Sequence, residues 1–396
     1  MEEVVIVSAV RTPIGSLGGQ FKDTSAVQLG TVAATEVLHR SHLQPEDVDS
    51  VIFGNVLQAG LGQNPARQIS IHSGIPNTIP AMTVNEVCGS GLKAVILASQ
   101  AIQVGDAKVV LAGGTENMSQ APYLLKNQRF GSKLGDTNAV DSLVHDGLTD
   151  AFNQQHMGIT AENVAERYHV SREEQDQFAL DSQIKTAIAQ ENDWFKDEIV
   201  PVSVQIKRET QLISEDEYPR KETTIEKLQK LRPAFKKEGT VTAGNASGIN
   251  DGAAAILLMA KSEAKKRNIP YLATIKGYSE VGTDPEIMGY APYTAVQKVF
   301  EKTNFTKEDI DLFEFNEAFA SQSIALVRDL ELPTEKVNIH GGAIALGHPI
   351  GASGSRILVT LLNAMKQNDK KRGLATLCVG GGIGIAMIIE SAEQTV

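Results

Sequence analysis

The chain has 396 residues with 42% hydrophobic and 21% charged residues, more than one core normally serves, so two or three packing units are expected. Lys and Arg number 37 against 48 Asp and Glu, and the net charge of −11 argues against a nucleic-acid partner. Two cysteines without metal-ligand spacing predict a reducing cytoplasm, no disulfide framework and no structural metal.

Taken in chain order, MEEVVIVSAV is acidic and runs straight into an apolar strand, which predicts no signal or transit peptide. Apolar runs such as AAAILLMA are too short to span a bilayer, so no membrane association is expected. Residues 25–39 read as a helix capped by Ser25, residues 48–56 as a second strand, and LGQNPARQISIHSG as a loop into a helix. Met82 to Val87 reads as a strand, Gly89 to Val104 as a buried helix, and AKVVLAGG as a further strand. Alternating strand and helix predicts an α/β layer fold around a mainly parallel sheet. From about Asn117 the texture turns polar, with SREEQDQFALDSQIKTAIAQEN as a surface-type amphipathic helix. Residues 118–246 are therefore expected to form an inserted loop domain. The first core half would be 1–117 plus 247–270, and the second 271–396.

The two ends share a pattern. CGSGLKAVILASQAIQVGDAKVVLAGG and GASGSRILVTLLNAMKQNDKKRGLATLCVGGG both read as small turn, Ser-Gly, apolar helix, charged loop, strand, glycines. Two such halves would bring two helix mouths together about a pseudo-dyad.

Four places carry chemistry. Cys88 sits where a strand meets a helix, and there the helix dipole and free N–H groups favour thiolate; the alternative is a buried structural cysteine. His348 lies in NIHGGAIALGHPIGASG, where Pro349 keeps it out of a helix and glycines admit a ligand; the alternative is a structural histidine. Cys378 precedes Gly380-Gly381-Gly382, whose free N–H groups suit an oxyanion, or it fills the core. Asn316 ends the strand LFEF and is either an N-cap or a holder of water or oxygen in a site. From Arg220 to Lys237, seven basic residues face only Glu222 and Glu226, which reads as a solvated surface or an anion site.

Together, VNEVCGSGLKAV, GGTENMS, NEAFA, NIHGGAIALGHPIGASG and LCVGGGIGIAM resemble the thiolase family in order and over Val5 to Met387. The likeness is closest to its short-chain biosynthetic branch, acetyl-CoA C-acetyltransferase. That resemblance implies two βαβαβαββ halves in a five-layer α-β-α-β-α core. It implies Cys88 as the acylated nucleophile, His348 as its base, and Cys378 as the acid/base at the acetyl carbon. Asn316, through a water, and His348 would bind the enolate oxygen, while the N–H groups of Cys88 and Gly380 would bind the tetrahedral oxyanion. It implies a ping-pong condensation of two acetyl-CoA to acetoacetyl-CoA and CoA, with no cofactor or metal, in a homotetramer whose assembly loop is QAPYLLKNQRFGSKLGD. Arg220, Phe235 and Ser247 match contacts to coenzyme A, and Leu148, His156, Met157, Met288, Ala318 and Phe319 match the walls around its thioester arm. Met288-Gly289-Tyr290-Ala291-Pro292 departs from the family's Met-Gly-x-Gly-Pro, which is expected to narrow the acyl pocket or shift its loop. The rivals are a 3-ketoacyl-CoA thiolase for longer chains, and a coenzyme A-binding scaffold without catalysis. A decarboxylating synthase would pair its cysteine with two histidines.

Overall fold

The computed structural model describes residues 2–392. Nine strands line up in one twisted sheet, with Gly15–Ser16 as a tenth short strand beside it. In chain order they are β1 (Val4–Arg11), β2 (Ser50–Gly54), β3 (Ala81–Val84), β4 (Val109–Asn117), β5 (Asn250–Ala260), β6 (Ala273–Gly282), β7 (Leu312–Phe315), β8 (Arg372–Val379) and β9 (Ile383–Ser391). The spatial order is β7-β8-β9-β6-β1-β5-β4-β2-β3. Within the sheet, the two halves join where Val5 and Ile6 pair with Thr274 and Ala273.

The expected mainly parallel sheet is corrected here. Only β2·β3, β2·β4 and β7·β8 are parallel; β1·β5, β4·β5, β6·β9, β8·β9 and the seam are antiparallel. The reason is connectivity. Strands joined through a helix re-enter parallel, whereas β8 turns straight back into β9 through Gly381 and Gly382, both at φ +85°. β4 likewise returns as its antiparallel neighbour β5 after the long excursion of residues 118–249.

Helices make up the other layers. α1 (Ala26–Ser41) and α2 (Pro65–His72) cover the outside of the first half. α6 (Ala291–Thr303) and α7 (Ala320–Asp329) cover the outside of the second. Between the two halves of the sheet lie α3 (Ser90–Val104) and α8 (Ile350–Gln367), with Leu92, Val95, Ile96, Leu358, Leu361 and Met365 in one cluster with strands of both halves. Each such fully buried aliphatic side chain contributes roughly 1.5–3 kcal/mol. Contrary to the expectation about apolar runs, Val87–Val104 is long and apolar enough to cross a membrane by length and composition. In this fold it includes α3, whose Leu92, Ala94, Val95, Ile96, Ala98 and Ile102 are buried in the central core.

The middle helices touch where the sequence repeat placed its Ser-Gly pairs. A Cβ on Gly91 would stand 2.7 Å from the Ser355 amide, and one on Gly354 would collide with the backbone of Leu92. Glycine is what allows the two helix mouths to meet.

The polar excursion carries α4 (Met157–Arg167) and α5 (Arg172–Glu191), both packed on α7. Ser171 and Glu174 form a capping box that starts α5. α5 is not simply a surface helix. Its buried face is Gln175, Asp176, Ala179, Ser182, Gln183, Thr186 and Ala189, and those polar groups bond the core loops, as Ser182 does Glu317 at 2.7 Å.

Candidate active site

The strand expected over Met82–Val87 stops at Val84, and Val87 is forced to φ +45°. A β-branched residue there is strained backbone. The kink turns the chain sharply before α3 and carries Cys88 to the mouth of the middle layer, where it is 8% exposed. Gly89 meets the opposite half directly, since a Cβ on it would lie 2.8 Å from Val379 Cγ2. The amides of Gly380 and of Cys88 itself lie near enough to the Cys88 sulfur to favour its charged form.

Those amides favour thiolate, as the helix-mouth reading expected, but they do not win. Burial pushes the Cys88 thiol up to about 11, and the Glu116 carboxylate adds to the rise. The unloaded site therefore holds a neutral thiol, and the expectation of a ready thiolate is overturned by desolvation. Ionising Cys88 needs a base.

His348 is the imidazole that the sequence offers for that role. It follows Gly347 at φ +107°, whose missing Cβ makes room for Asn250, and Asn250 Oδ1 accepts the His348 amide at 2.9 Å. Its Nδ1 meets Ser353 Oγ at 2.5 Å, and Ser353 Oγ donates its own hydrogen to the Pro349 carbonyl at 2.9 Å. Ser353 Oγ is thus the acceptor, the proton sits on Nδ1, and Nε2 carries the lone pair. Burial, with Arg356 second, lowers the His348 pKa to about 3, so the ring is neutral.

Asn316 Nδ2 lies 3.4 Å from that Nε2. The N-cap reading of Asn316 fails, because α7 begins after Phe319 and no side chain caps it. Asn316 Oδ1 is instead buried without a partner, the type of acceptor that a bound water satisfies. Asn338 fixes the strand end before it, accepting from Phe315 N at 2.7 Å and donating to Phe315 O at 3.0 Å.

Cys378 stands on β8, 1% exposed. Burial, and then the nearness of Cys88, raise its pKa strongly. Its neighbours form one apolar cluster with Met157, Ala161, Val241, Ala246, Met288, Ala318 and Phe319, with Phe235 packed on it. His156 stacks on Phe235 with ring centroids 4.8 Å apart, and Phe235 meets Phe319 edge-on at 6.2 Å. Ser247 N bonds Ala318 O at 2.9 Å. Leu148 packs on the central core instead of this cluster.

Arg220 stands apart from that wall. It is exposed and lines a cavity of about 350 Å³ with Tyr218, Lys221, Lys227, Leu228, Leu231 and Gly244. The strip from Ala243 to Ser247 joins the cavity to the apolar cluster. Tyr290, expected to crowd the acyl pocket, points elsewhere: it stacks between Tyr168 and Tyr293 at 4.0 and 5.1 Å and donates to Asp329 at 2.5 Å. Ala291, which stands where the family has glycine, is buried at the start of α6.

The structure sets Cys88 beside Gly380 and Cys378, links Cys378 through Gln322 to Asn316, and puts Asn316 Nδ2 against His348; it also adds residues that the sequence reading did not single out. Glu116, buried and pushed up to about 7 by desolvation, accepts from Asn55 Nδ2 and from the amides of Val56, Leu57 and Gly351, so it ties the mouth of α8 to the first half. Gln322 accepts the Cys378 thiol at 2.8 Å. The only sequence signal for Asn250 and Glu116 was their place in NASGINDG and GGTENMS. No group of His, Cys, Asp and Glu suited to a metal ion occurs among the described residues.

A buried cysteine pair, an uncharged imidazole and nearby amides at the meeting of two similar halves are groups of the kind that acyl transfer through sulfur uses. The comparisons give the family: residues 4–262 match the model "Thiolase, N-terminal domain" and residues 269–391 match "Thiolase, C-terminal domain". The chain belongs to the thiolase family, has the thiolase fold, and is an acyltransferase of that family. It is 56% identical over 390 residues to a "Probable acetyl-CoA acyltransferase" of Staphylococcus aureus (strain COL), covering 98% of this chain and 99% of that one. Among solved structures it resembles the Bacillus anthracis acetyl-CoA acetyltransferase (44% identity, TM-score 0.97) and human mitochondrial 3-ketoacyl-CoA thiolase (47%, TM-score 0.96), each match covering 99% of both chains.

Proposed function

We propose that the protein is an acetyl-CoA C-acetyltransferase, joining two acetyl-CoA into acetoacetyl-CoA and CoA and running the reverse thiolysis. The observation that carries this reading is two buried cysteines close enough to shift one another, one beside the Gly380 amide and the other joined through Gln322 to Asn316, whose Nδ2 reaches His348.

In the first half-reaction His348 Nε2 takes the Cys88 proton and the sulfur adds to the acetyl carbonyl. The two amides receive the oxyanion, the C–S bond to coenzyme A breaks, and the proton passes to the departing thiolate. In the second, the Cys378 proton moves to His348, and the Cys378 thiolate takes a hydrogen from the methyl of a new acetyl-CoA. The electron pair of that C–H bond becomes an enolate, whose oxygen is held by His348 Nε2–H and a water on Asn316 Oδ1. The enolate carbon attacks acetyl-Cys88, and Cys88 leaves with the proton from His348. Every group ends as it began, and coenzyme A thioesters are the only small molecules required. A positioned donor in such an oxyanion site is typically worth about 3–4 kcal/mol.

Coenzyme A fits the insert. Arg220, Lys221 and Lys227 offer positive charge for its phosphates, the Ala243–Ser247 strip a path for pantetheine, and His156, Phe235 and Phe319 aromatic faces beside it. Preference for the acetyl group is supported by Met157, Met288 and Phe319 packing in one cluster with Cys378. The likeness to a human 3-ketoacyl-CoA thiolase favours the second reading, longer acyl chains. The kcat/KM values for acetoacetyl-CoA and 3-ketohexanoyl-CoA decide: we expect the shorter substrate to lead by at least about tenfold, the discrimination that methylene groups commonly give. A lead for the longer one makes the protein a 3-ketoacyl-CoA thiolase.

A homotetramer is part of the proposal. Phe130 and Leu134 are 94% and 97% exposed on the loop that resembles the family's assembly element, and side chains of that size in open solvent suit a partner surface. Light scattering should give a tetramer that falls to dimers in F130S/L134S. A wild-type monomer would contradict it.

A further inference from the structure

One buried polar side chain touches a reactive sulfur and has no part in the chemistry above. Gln322, in the first turn of α7, is 1% exposed. Its Oε1 accepts the Cys378 thiol at 2.8 Å. Its Nε2 donates to the Asn316 carbonyl at 3.3 Å and to Ser323 Oγ at 3.1 Å. The Asn316 carbonyl can only accept, and Ser323 Oγ gives its own hydrogen to Phe319 O at 3.3 Å. Both hydrogens of the amide therefore have acceptors, and its oxygen is the end that must face the sulfur. Gly289 leaves the room, because a Cβ there would stand 2.9 Å from Gln322 Cβ.

Two consequences follow from chemistry. A hydrogen bond that only the neutral thiol can donate favours the thiol over the thiolate, so the ionised sulfur is the more basic when it forms. That suits a base that must remove hydrogen from a carbon beside a thioester. The second is direction. Once the C–H bond has broken and its proton has joined Sγ, the new S–H turns to Oε1 and away from the enolate carbon, whose electron pair is then used to form the carbon–carbon bond.

We propose that Gln322 is a positioning residue for Cys378: its side-chain carbonyl holds the Cys378 Sγ–H away from the enolate, and its amide nitrogen ties that sulfur to the strand end carrying Asn316. The inference rests on the acid–base role given to Cys378 in the proposed function.

The test compares wild type, Q322M and Q322E in deuterium oxide, measuring acetylation of Cys88, deuterium entering the methyl of acetyl-CoA, and condensation. Q322M fills the same space without the carbonyl. It should acetylate Cys88 normally, lose about 10- to 100-fold in kcat for condensation with KM nearly unchanged, and show more deuterium exchange per condensation, since an unheld S–H returns to the enolate. In Q322E the protonated carboxyl reproduces both bonds, with C=O to the thiol and O–H to Asn316 O. Condensation should therefore persist at low pH and fall as pH rises through the ionisation of the introduced carboxyl, a limb absent from wild type. Wild-type condensation in Q322M overturns the inference. So does an equal loss of exchange and condensation in Q322M with no new limb in Q322E, which marks a structural role. Failure of wild type to acetylate Cys88 at all would instead overturn the proposed function beneath it.

Discussion

Cys88→Ser is expected to lower thiolysis and condensation by about 10⁴- to 10⁶-fold, the range seen when a nucleophile is removed from a set of groups that act as a unit. The site's geometry explains why so small a change costs so much. An alcohol is far less acidic than a thiol, and burial already holds the Cys88 thiol up at about 11, so a hydroxyl in the same place gives up its proton far less readily still. An acetyl-serine is also an oxygen ester, a poorer donor to the enolate than a thioester, so the reversible exchange between two sulfurs is lost. Stability should change little, since the substitution is nearly isosteric. Steady-state assays in both directions check it, and turnover within tenfold of wild type would remove Cys88 from the chemistry.

Cys378→Ala should separate the two half-reactions. Acetylation of Cys88 needs His348 and the amides of Gly380 and Cys88, none of which this change touches. Removal of hydrogen from the second acetyl-CoA needs the Cys378 sulfur, so condensation and exchange of the methyl hydrogens should fall by about 10²- to 10⁴-fold. Acetyl-Cys88 should accumulate. The variant leaves Gln322 Oε1 unpaired, at a cost of about 1–3 kcal/mol, so melting temperature must be followed alongside. Rapid-quench labelling with acetyl-CoA separates the outcomes: loss of acetylation in a folded C378A protein would contradict this division of labour.

The reactive residues were legible because each sits among residues unusual for its place. Cys88 between a strand and glycines, His348 before Pro349 in an apolar glycine run, and Cys378 before three glycines all mark ends of elements where backbone must approach closely. Gly91 and Gly354 even gave the meeting point of the middle helices. Strand direction was not legible, because β4 and β5 are both apolar on both faces and read the same whether they run parallel or not. The raised pKa of Cys88 was not legible because the helix mouth is local, whereas its burial comes from a core cluster that includes residues as distant as Val379. Gln322, Asn250 and Glu116 are ordinary polar residues in ordinary segments. Their partners Cys378, His348 and Gly351 lie far away in the chain, so no short pattern announces them.

The most direct test is where the acetyl group goes. Wild-type protein mixed with acetyl-CoA, stopped in acid and digested should carry acetyl on the Cys88 peptide alone, and adding CoA before the acid should clear it. Acetoacetyl-CoA formed with Cys88 unmodified at every time, or an acetyl group lodged on another residue and consumed from there, would contradict the account.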